Sequence, residues 1–537
     1  MIPCPSCGAG LRFDIASQKM VCDYCRNSYD VPSINDDSLS NDAKGEQTYD
    51  SYVYVCPSCG AELVTTDKAD AIGFCQYCGG ASMLFDKLRR EWRPDGVIPF
   101  KITKEQCKEA YLKEVKRHPF VSKKYRDPKL LDEFRGVYMP YWSYKAAMQG
   151  EFKLTGTGPR RMTGVNTYEI KHYHLKGATD YRLEGYSHDA SATFDDDLSE
   201  SLAPYDAKQQ LGFHPGYLSG FYAETGNVDP HEYDEAITEE MKEDAARVIE
   251  SDPQVAETVK KQKLTMDYAK SEAPVFITDA RRALYPVWFM SRRSGNEITY
   301  AAVNGQTGRV SADLPLSPAK ILITAGCIAA GLFGVLALIM GFLPAIKANT
   351  TLALCLLLML TGMYYLKRAF IKSVDKQSKV GGVFYGFITV LSFLALIGFT
   401  SDGSYDGDMR FFCALVLIPA LIILLMSNIR LAMEYDKIKK KKFGSVSPLR
   451  QRILEEAKAF SKRTVWLTLL MWGMIIGGGL VVYYDPPYNI ISYLLCFLAA
   501  AALFGLALFH IDFQTKVARR PLPQFNKKGA YYDENKG

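Results

Sequence analysis

Eight of the thirteen cysteines stand in four CxxC pairs within the first 78 residues. Cys4/Cys7 and Cys22/Cys25 form one set, and Cys56/Cys59 and Cys75/Cys78 form the other. Within each set the pairs are 14 or 15 residues apart. That is the spacing of a zinc ribbon, in which two tight knuckles each give two thiolates to one tetrahedral ion. Two structural Zn2+ ions are therefore expected. A four-thiolate shell is closed and leaves no position for water or substrate, so the chemistry predicted is structural.

The two sets are an internal repeat. Cys4-Pro5-Ser6-Cys7-Gly8-Ala9 returns as Cys56-Pro57-Ser58-Cys59-Gly60-Ala61, and Cys22-Asp23-Tyr24-Cys25 as Cys75-Gln76-Tyr77-Cys78. Gly8, Gly60 and Gly79 follow a second cysteine, where a positive φ is commonly needed. The Cys22/Cys25 knuckle has Arg26 there, and Asn27 is expected to help the turn that begins at it. The competing reading is disulfides. Met1-Ile2-Pro3-Cys4 runs into the first knuckle without a signal-peptide pattern, which favours a reducing compartment and metal. Metal also supplies about 10–16 kcal/mol of folding energy to a module too small for its own core. Cys107, Cys327, Cys355, Cys413 and Cys496 are scattered, four of them in apolar runs, and read as small buried hydrophobes.

Other chemistry is sparse. His172 and His174 alternate on an expected strand with Asp195, Asp196 and Asp197 nearby in sequence; exposed polar side chains explain them better than a metal site. There is no Gly-Lys dipeptide, hence no P-loop, and neither GxSxG nor HExxH occurs. No enzyme is expected, and no catalytic residue is named.

The elements that must carry the cysteines divide the chain into a multidomain arrangement. Two small β zinc ribbons are expected at 1–30 and 52–90, joined by an acidic linker at 31–51 rich in Asp and Ser. An α+β cytoplasmic domain is expected over 91–318. Thr103–Arg117 and Thr238–Ser251 have helical spacing, and Gln149–Thr157 and Thr167–Leu175 alternate as strands. Leu284–Ser291 and Glu297–Val303 read as a hairpin, followed by a turn at Asn304-Gly305-Gln306-Thr307-Gly308 into a further strand. Tyr138-Met139-Pro140-Tyr141-Trp142 is echoed by Leu284-Tyr285-Pro286-Val287-Trp288, which raises the idea of two similar α+β halves.

Residues 319–512 read as an all-α transmembrane domain of six spans. Ile321–Leu343, Asn349–Leu366, Gly381–Thr400, Phe411–Ile429, Thr464–Tyr484 and Ile490–Ile511 contain no Asp, Glu, Lys or Arg. Alternate loops are rich in Lys and Arg, including Lys439 to Lys442, and the intervening ones are poor. By the positive-inside rule both termini, including the basic tail 513–537, face the cytoplasm. The localisation expected is the cytoplasmic membrane. Charge-free spans argue against ion-coupled transport; His510 reads as an interfacial residue at the end of the last span. Gly326, Ala330 and Gly334, and Ala501 with Gly505, allow close helix approach. Residues 447–463 place Leu449, Ile453, Ala457 and Phe460 on one face and read equally as an in-plane interfacial helix or a plain connector.

From Lys320 onward there are 25 Lys and Arg against 12 Asp and Glu, a net of +13; the preceding part is 39 against 47, a net of −8. Nucleic-acid affinity comes largely from phosphate neutralisation, so acidic ribbons suit protein partners better than nucleic acid. The basic back suits anionic lipid on the inner membrane face.

The CPSCGA ribbons, Arg93-Pro94-Asp95-Gly96-Val97-Ile98-Pro99-Phe100, Gly136-Val137-Tyr138-Met139-Pro140-Tyr141-Trp142 and the Asn304–Arg309 turn together resemble a bacterial family. It is usually labelled TFIIB-type zinc-ribbon, sometimes primosomal-helicase-like. All eight metal positions match, while the ATPase motifs of a helicase are missing. Membrane-anchored relatives resemble partners of SPFH/flotillin-like and phage-shock proteins, which implies recruitment of cytoplasmic proteins in a membrane-stress assembly. The function expected is an integral membrane adaptor. The rivals are a membrane-tethered nucleic-acid binder and a channel or lipid-handling protein.

Overall fold

The computed structural model describes residues 2–34, 39–41, 47–66, 75–80, 83–159, 161–162, 168–194, 196–262, 264–272, 275–321, 323–324, 327, 348–374, 385–392, 419–420, 422–424, 426–428, 448–484 and 489–521. The chain divides into two compact units. One holds residues 1–117 and 126–313, and the other holds 118–125 and 314–520.

In the first unit, Leu11–Asp14, Lys19–Cys22 and Ser28–Tyr29 form a three-stranded antiparallel sheet. Leu11, Phe13, Met20 and Cys22 alternate onto its buried side. Phe13 packs edge-on to Tyr217 at 5.3 Å, and Ser219 donates to the carbonyl of Leu11 at 2.6 Å. The first ribbon is thus docked onto the larger sheet.

The second ribbon is part of that sheet. Gln47–Val55 pairs with Glu62–Thr65 and Leu84–Trp92. Glu62–Thr65 pairs with Tyr222–Ala223, which runs parallel to Arg135–Thr157. Residues 31–51, expected to be a linker, contribute Leu39–Asn41 and the start of Gln47–Val55, paired at Leu39↔Tyr49. Tyr49 is buried, its ring tilted against that of Phe213 at 5.2 Å. Burial of this ring outweighs the polar composition around it.

Three strands are far longer than the usual five or six residues: Arg135–Thr157, His172–Asp189 and Val275–Ser294. Val275–Ser294 turns into Glu297–Asn304 with Val287 opposite Asn304 and Ser294 opposite Glu297, as the hairpin expectation required. Gly308, at φ +76, closes the next turn into Val310–Ala312. Helices form at Lys104–Arg117 and Asp234–Ser251. The first opens on a capping box, with Gln106 N donating to Thr103 Oγ1 and Thr103 N to Gln106 Oε1.

The echo between 138–142 and 284–288 is a pseudo-two-fold arrangement. The two segments lie antiparallel with Met139 opposite Tyr285. Gly96–Val97 runs parallel to the second at Ala283 and Leu284, as Tyr222–Ala223 does to the first at Val137 and Tyr138. Ile98 N donates to Leu284 O, and Glu224 N to Tyr138 O. Gly305 N donates to Pro286 O, and Ala190 N to Pro140 O. Lys101 and Ile102 donate to Gly305 O, and Asn227 and Val228 to Ala190 O. The Trp288 indole donates to Ile102 O at 2.8 Å, and the Trp142 indole to Val228 O at 2.9 Å. Two like halves therefore share one central strand pair.

The second unit is helical. Among the described residues, Leu352–Ile371 and Leu494–Val517 are long and apolar enough to cross a membrane. The helices containing them, Ala348–Val374 and Asn489–Val517, outrun the expected spans. A third helix, Pro448–Tyr484, is continuous over 37 residues. This corrects the reading of 447–463 as a separate in-plane helix. Its apolar face packs on other helices, with Phe460 stacked on Phe370 at 4.5 Å and 5.2 Å from Phe513. Gly505 faces Leu467, consistent with close approach there. Most of Ile321–Leu343, Gly381–Thr400 and Phe411–Ile429, with Gly326, Ala330, Gly334, the lysines 439–442 and the tail beyond 521, lie outside the described residues.

Candidate metal centres

Each knuckle is a short backbone loop that turns two sulfurs toward one point. Gly8 N donates to Cys4 O and Cys4 N to Ala9 O; Gly60 N donates to Cys56 O, and Gly79 N to Cys75 O. Closing this loop needs a left-handed residue after the second cysteine, and Gly8, Gly60 and Gly79 have φ of +74, +79 and +66. In the Cys22/Cys25 knuckle the left-handed residue is Arg26 itself, at φ +61. Asn27, expected to ease the turn, instead donates from Nδ2 to Ser6 Oγ at 3.0 Å and ties the two knuckles together.

The sulfurs converge as the spacing requires. Cys4 and Cys25 are 3.6 Å apart and Cys7 and Cys22 3.5 Å; Cys56 and Cys78 are 3.5 Å apart and Cys59 and Cys75 3.6 Å. All four sulfurs of each set lie within 4.8 Å of one another. Tetrahedral zinc with bonds near 2.3 Å puts its sulfurs about 3.8 Å apart. A disulfide needs about 2.05 Å, so these are not bridges, and all eight cysteines are free. The donor set fits zinc. Backbone amides favour the thiolate. The Cys22 thiol is held below its ordinary value by the amide of Cys25, 3.5 Å from its sulfur, against the opposing effect of burial.

The two centres differ in setting. Cys7 is exposed and Cys25 half-buried, whereas Cys56, Cys59, Cys75 and Cys78 are all buried. These four belong to a core that includes Tyr54, Leu63, Ile98, Met139 and Phe289. A Cβ at Gly80 would come within 3.2 Å of the Cys78 sulfur and 3.7 Å of Cys56, so a side chain there would crowd the metal site. Tyr77, between Cys75 and Cys78, is buried, and its carbonyl accepts from Tyr300 Oη at 2.8 Å. Its own hydroxyl donates to Glu224 at 2.5 Å. Glu224 also accepts from Ser191 and Thr193. Burial raises the Glu224 carboxyl above its usual range, the three hydroxyls opposing it.

Sequence reasoning missed Glu224, Ser191 and Thr193. Glu224 is a lone acid between Ala223 and Thr225, and its partner is 147 residues away; no local pattern encodes that pairing. His172 and His174 are exposed along the strand His172–Asp189 and oppose Thr157 and Thr155. Asp195 is outside the described residues. Among the described residues, only the two cysteine sets form metal-ready clusters. His510 lines a cavity of about 180 Å³ between helices, with Phe370 and Phe460.

No family model matches the chain, and no solved structure matches it. The chain is similar to the uncharacterized protein YdjG of Bacillus subtilis, 26% identical over 344 residues that span 63% of this chain and 96% of the relative.

Proposed function

We propose that this chain is an integral membrane adaptor, with its two zinc ribbons and α+β domain in the cytoplasm offering surfaces to protein partners. Six spans hold it in the membrane in this reading, with both termini inside and the basic segments against anionic lipid. The partners, by the resemblance described above, are of the SPFH/flotillin-like or phage-shock type in a membrane-stress assembly. The observation that carries the reading is the pairing of two closed four-sulfur centres with helices that turn apolar side chains outward. Closed thiolate shells hold shape and perform no turnover. The segment Leu494–Val517, at mean hydropathy 2.4, is only 22% buried, and Trp466 and Phe497 are 77% and 71% exposed. A helix of a water-soluble core would bury such a surface.

The test is a mild-detergent pull-down of the full chain against the Cys7→Ser/Cys25→Ser variant, which disrupts the exposed centre and spares the buried one. Loss of the specific partners supports the reading, and an unchanged partner set contradicts a role for the first ribbon. The full chain in nanodiscs should not shift DNA even at low salt; a salt-dependent shift would favour the nucleic-acid rival. Flux or lipid scrambling in proteoliposomes would favour the transport rival.

A further inference from the structure

The pseudo-two-fold halves match in backbone but not in side chains at one position. Phe100 and Gly226 are equivalent, since Ile98 and Lys101 make the same hydrogen bonds as Glu224 and Asn227. Phe100 is wholly buried, stacked on Phe221 at 4.6 Å and lying 5.1 Å from Trp288, against Pro286 and Gly305. In the other half the equivalent wall is Pro140, Ala190 and Trp142, and Gly226 supplies no ring. A cavity of about 460 Å³ occupies that place, within the size range of small-ligand pockets.

A second asymmetry gives the cavity a charge. Gly136 stands opposite Trp288 and has no room for a side chain, since a Cβ there would lie 2.5 Å from the Phe221 ring. Its counterpart opposite Trp142 is Arg282. The Arg282 guanidinium is exposed and sits 5.8 Å from the Trp92 ring and 5.4 Å from the Trp142 ring. Glu91, Glu224 and Asp229 also line the cavity but are engaged, by Arg89, by the Tyr77, Ser191 and Thr193 hydroxyls and by the His231 amide. Asp95 accepts from the Arg282 backbone amide at 2.9 Å, and the guanidinium itself has no carboxylate partner among the described residues.

We propose that this cavity takes the aromatic ring of a Phe or Tyr from a protein partner, with an acidic residue beside it reaching Arg282. The matching half fills this place with the Phe100 ring, and Pro140 and Trp142 repeat its Pro286 and Trp288 walls here. Indole faces and a desolvated proline floor favour an aromatic anchor. The indole-held guanidinium favours a carboxylate next to it. This deepens the adaptor reading by stating the chemistry of the partner segment.

The test uses the full chain in nanodiscs and saturation-transfer NMR with acetyl-Asp-Phe-amide. Ring-proton transfer is expected with the wild type, and little with acetyl-Asp-Leu-amide. Gly226→Phe should abolish it. The variant has room, because a Cβ at Gly226 meets Pro140 and Ala190 only at 3.4 and 3.5 Å. Zinc content and melting temperature check its fold, and Gly226→Leu serves if it melts early. Arg282→Gln should weaken acetyl-Asp-Phe-amide and leave acetyl-Asn-Phe-amide unchanged. No transfer with the wild type, or equal transfer with the filled variants, overturns the proposal. The adaptor reading would then still stand or fall by the pull-down.

Discussion

The phenol of Tyr77 donates a 2.5 Å hydrogen bond to the carboxylate of Glu224. Tyr77 lies inside a metal knuckle, and Glu224 follows the strand that joins the ribbon to the main sheet. The second metal centre is therefore built into the core of the sheet-rich unit, and metal and sheet should stand or fall together.

Tyr77→Phe removes one of three donors to a buried carboxylate. Hydrogen bonds to charged groups are worth roughly 1.5–3 kcal/mol, and the unit should lose about that much stability. Denaturant unfolding of the zinc-loaded protein measures it. An unchanged midpoint would mean the phenol is replaceable.

Glu224 also carries a pH signature. Its folded value is raised by burial, so folding takes up a proton there. That stabilisation is complete below the usual carboxyl value and is lost as the pH rises through the raised one. Glu224→Gln mimics the neutral acid. The difference in melting temperature should move in favour of the variant as pH increases, and a difference independent of pH would contradict the raised value. Comparing two proteins that both hold zinc cancels the titration of the cysteines.

Arg26 takes a left-handed conformation without being glycine. That costs a side-chain-bearing residue about 1–2 kcal/mol. Arg26→Gly should make the first ribbon retain zinc better against a competing chelator. Weaker retention would mean that the arginine side chain contributes more than its backbone costs.

Asn304 fixes the turn that ends the long hairpin. Its Oδ1 accepts from the amides of Gln306 and Thr307, and its Nδ2 donates to Leu202 O. The residue is wholly buried. Asn304→Ala leaves these groups unpaired, at about 1–3 kcal/mol for each buried group stranded. Urea unfolding should show a loss of that order.

Features with a local cause could be read from the sequence. Four CxxC pairs at ribbon spacing identified all eight sulfurs that converge. Alternation identified the hairpin that ends at Ser294 and Glu297. The echo of two Pro-containing segments anticipated the halves that meet at Met139 and Tyr285. Features set by distant contacts could not. Ala223 pairs with Val64 across most of the unit, and nothing near either residue announces it. The repeat placed Arg26 at a turn position, but the expectation gave the turn to Asn27 because arginine is not the usual left-handed residue. The charges between Arg450 and Arg463 break an apolar run yet not a helix, since Arg, Lys and Glu are good helix formers.

The most direct measurement is metal stoichiometry with release kinetics on the intact protein. Two zinc ions per chain are expected, one for each cysteine cluster. A chelator should strip one quickly, from the centre with exposed Cys7. It should remove the other only as the sheet-rich unit unfolds, as seen by tryptophan fluorescence. Absence of zinc, or loss of both ions at one rate while the unit stays folded, would contradict a metal centre embedded in the core.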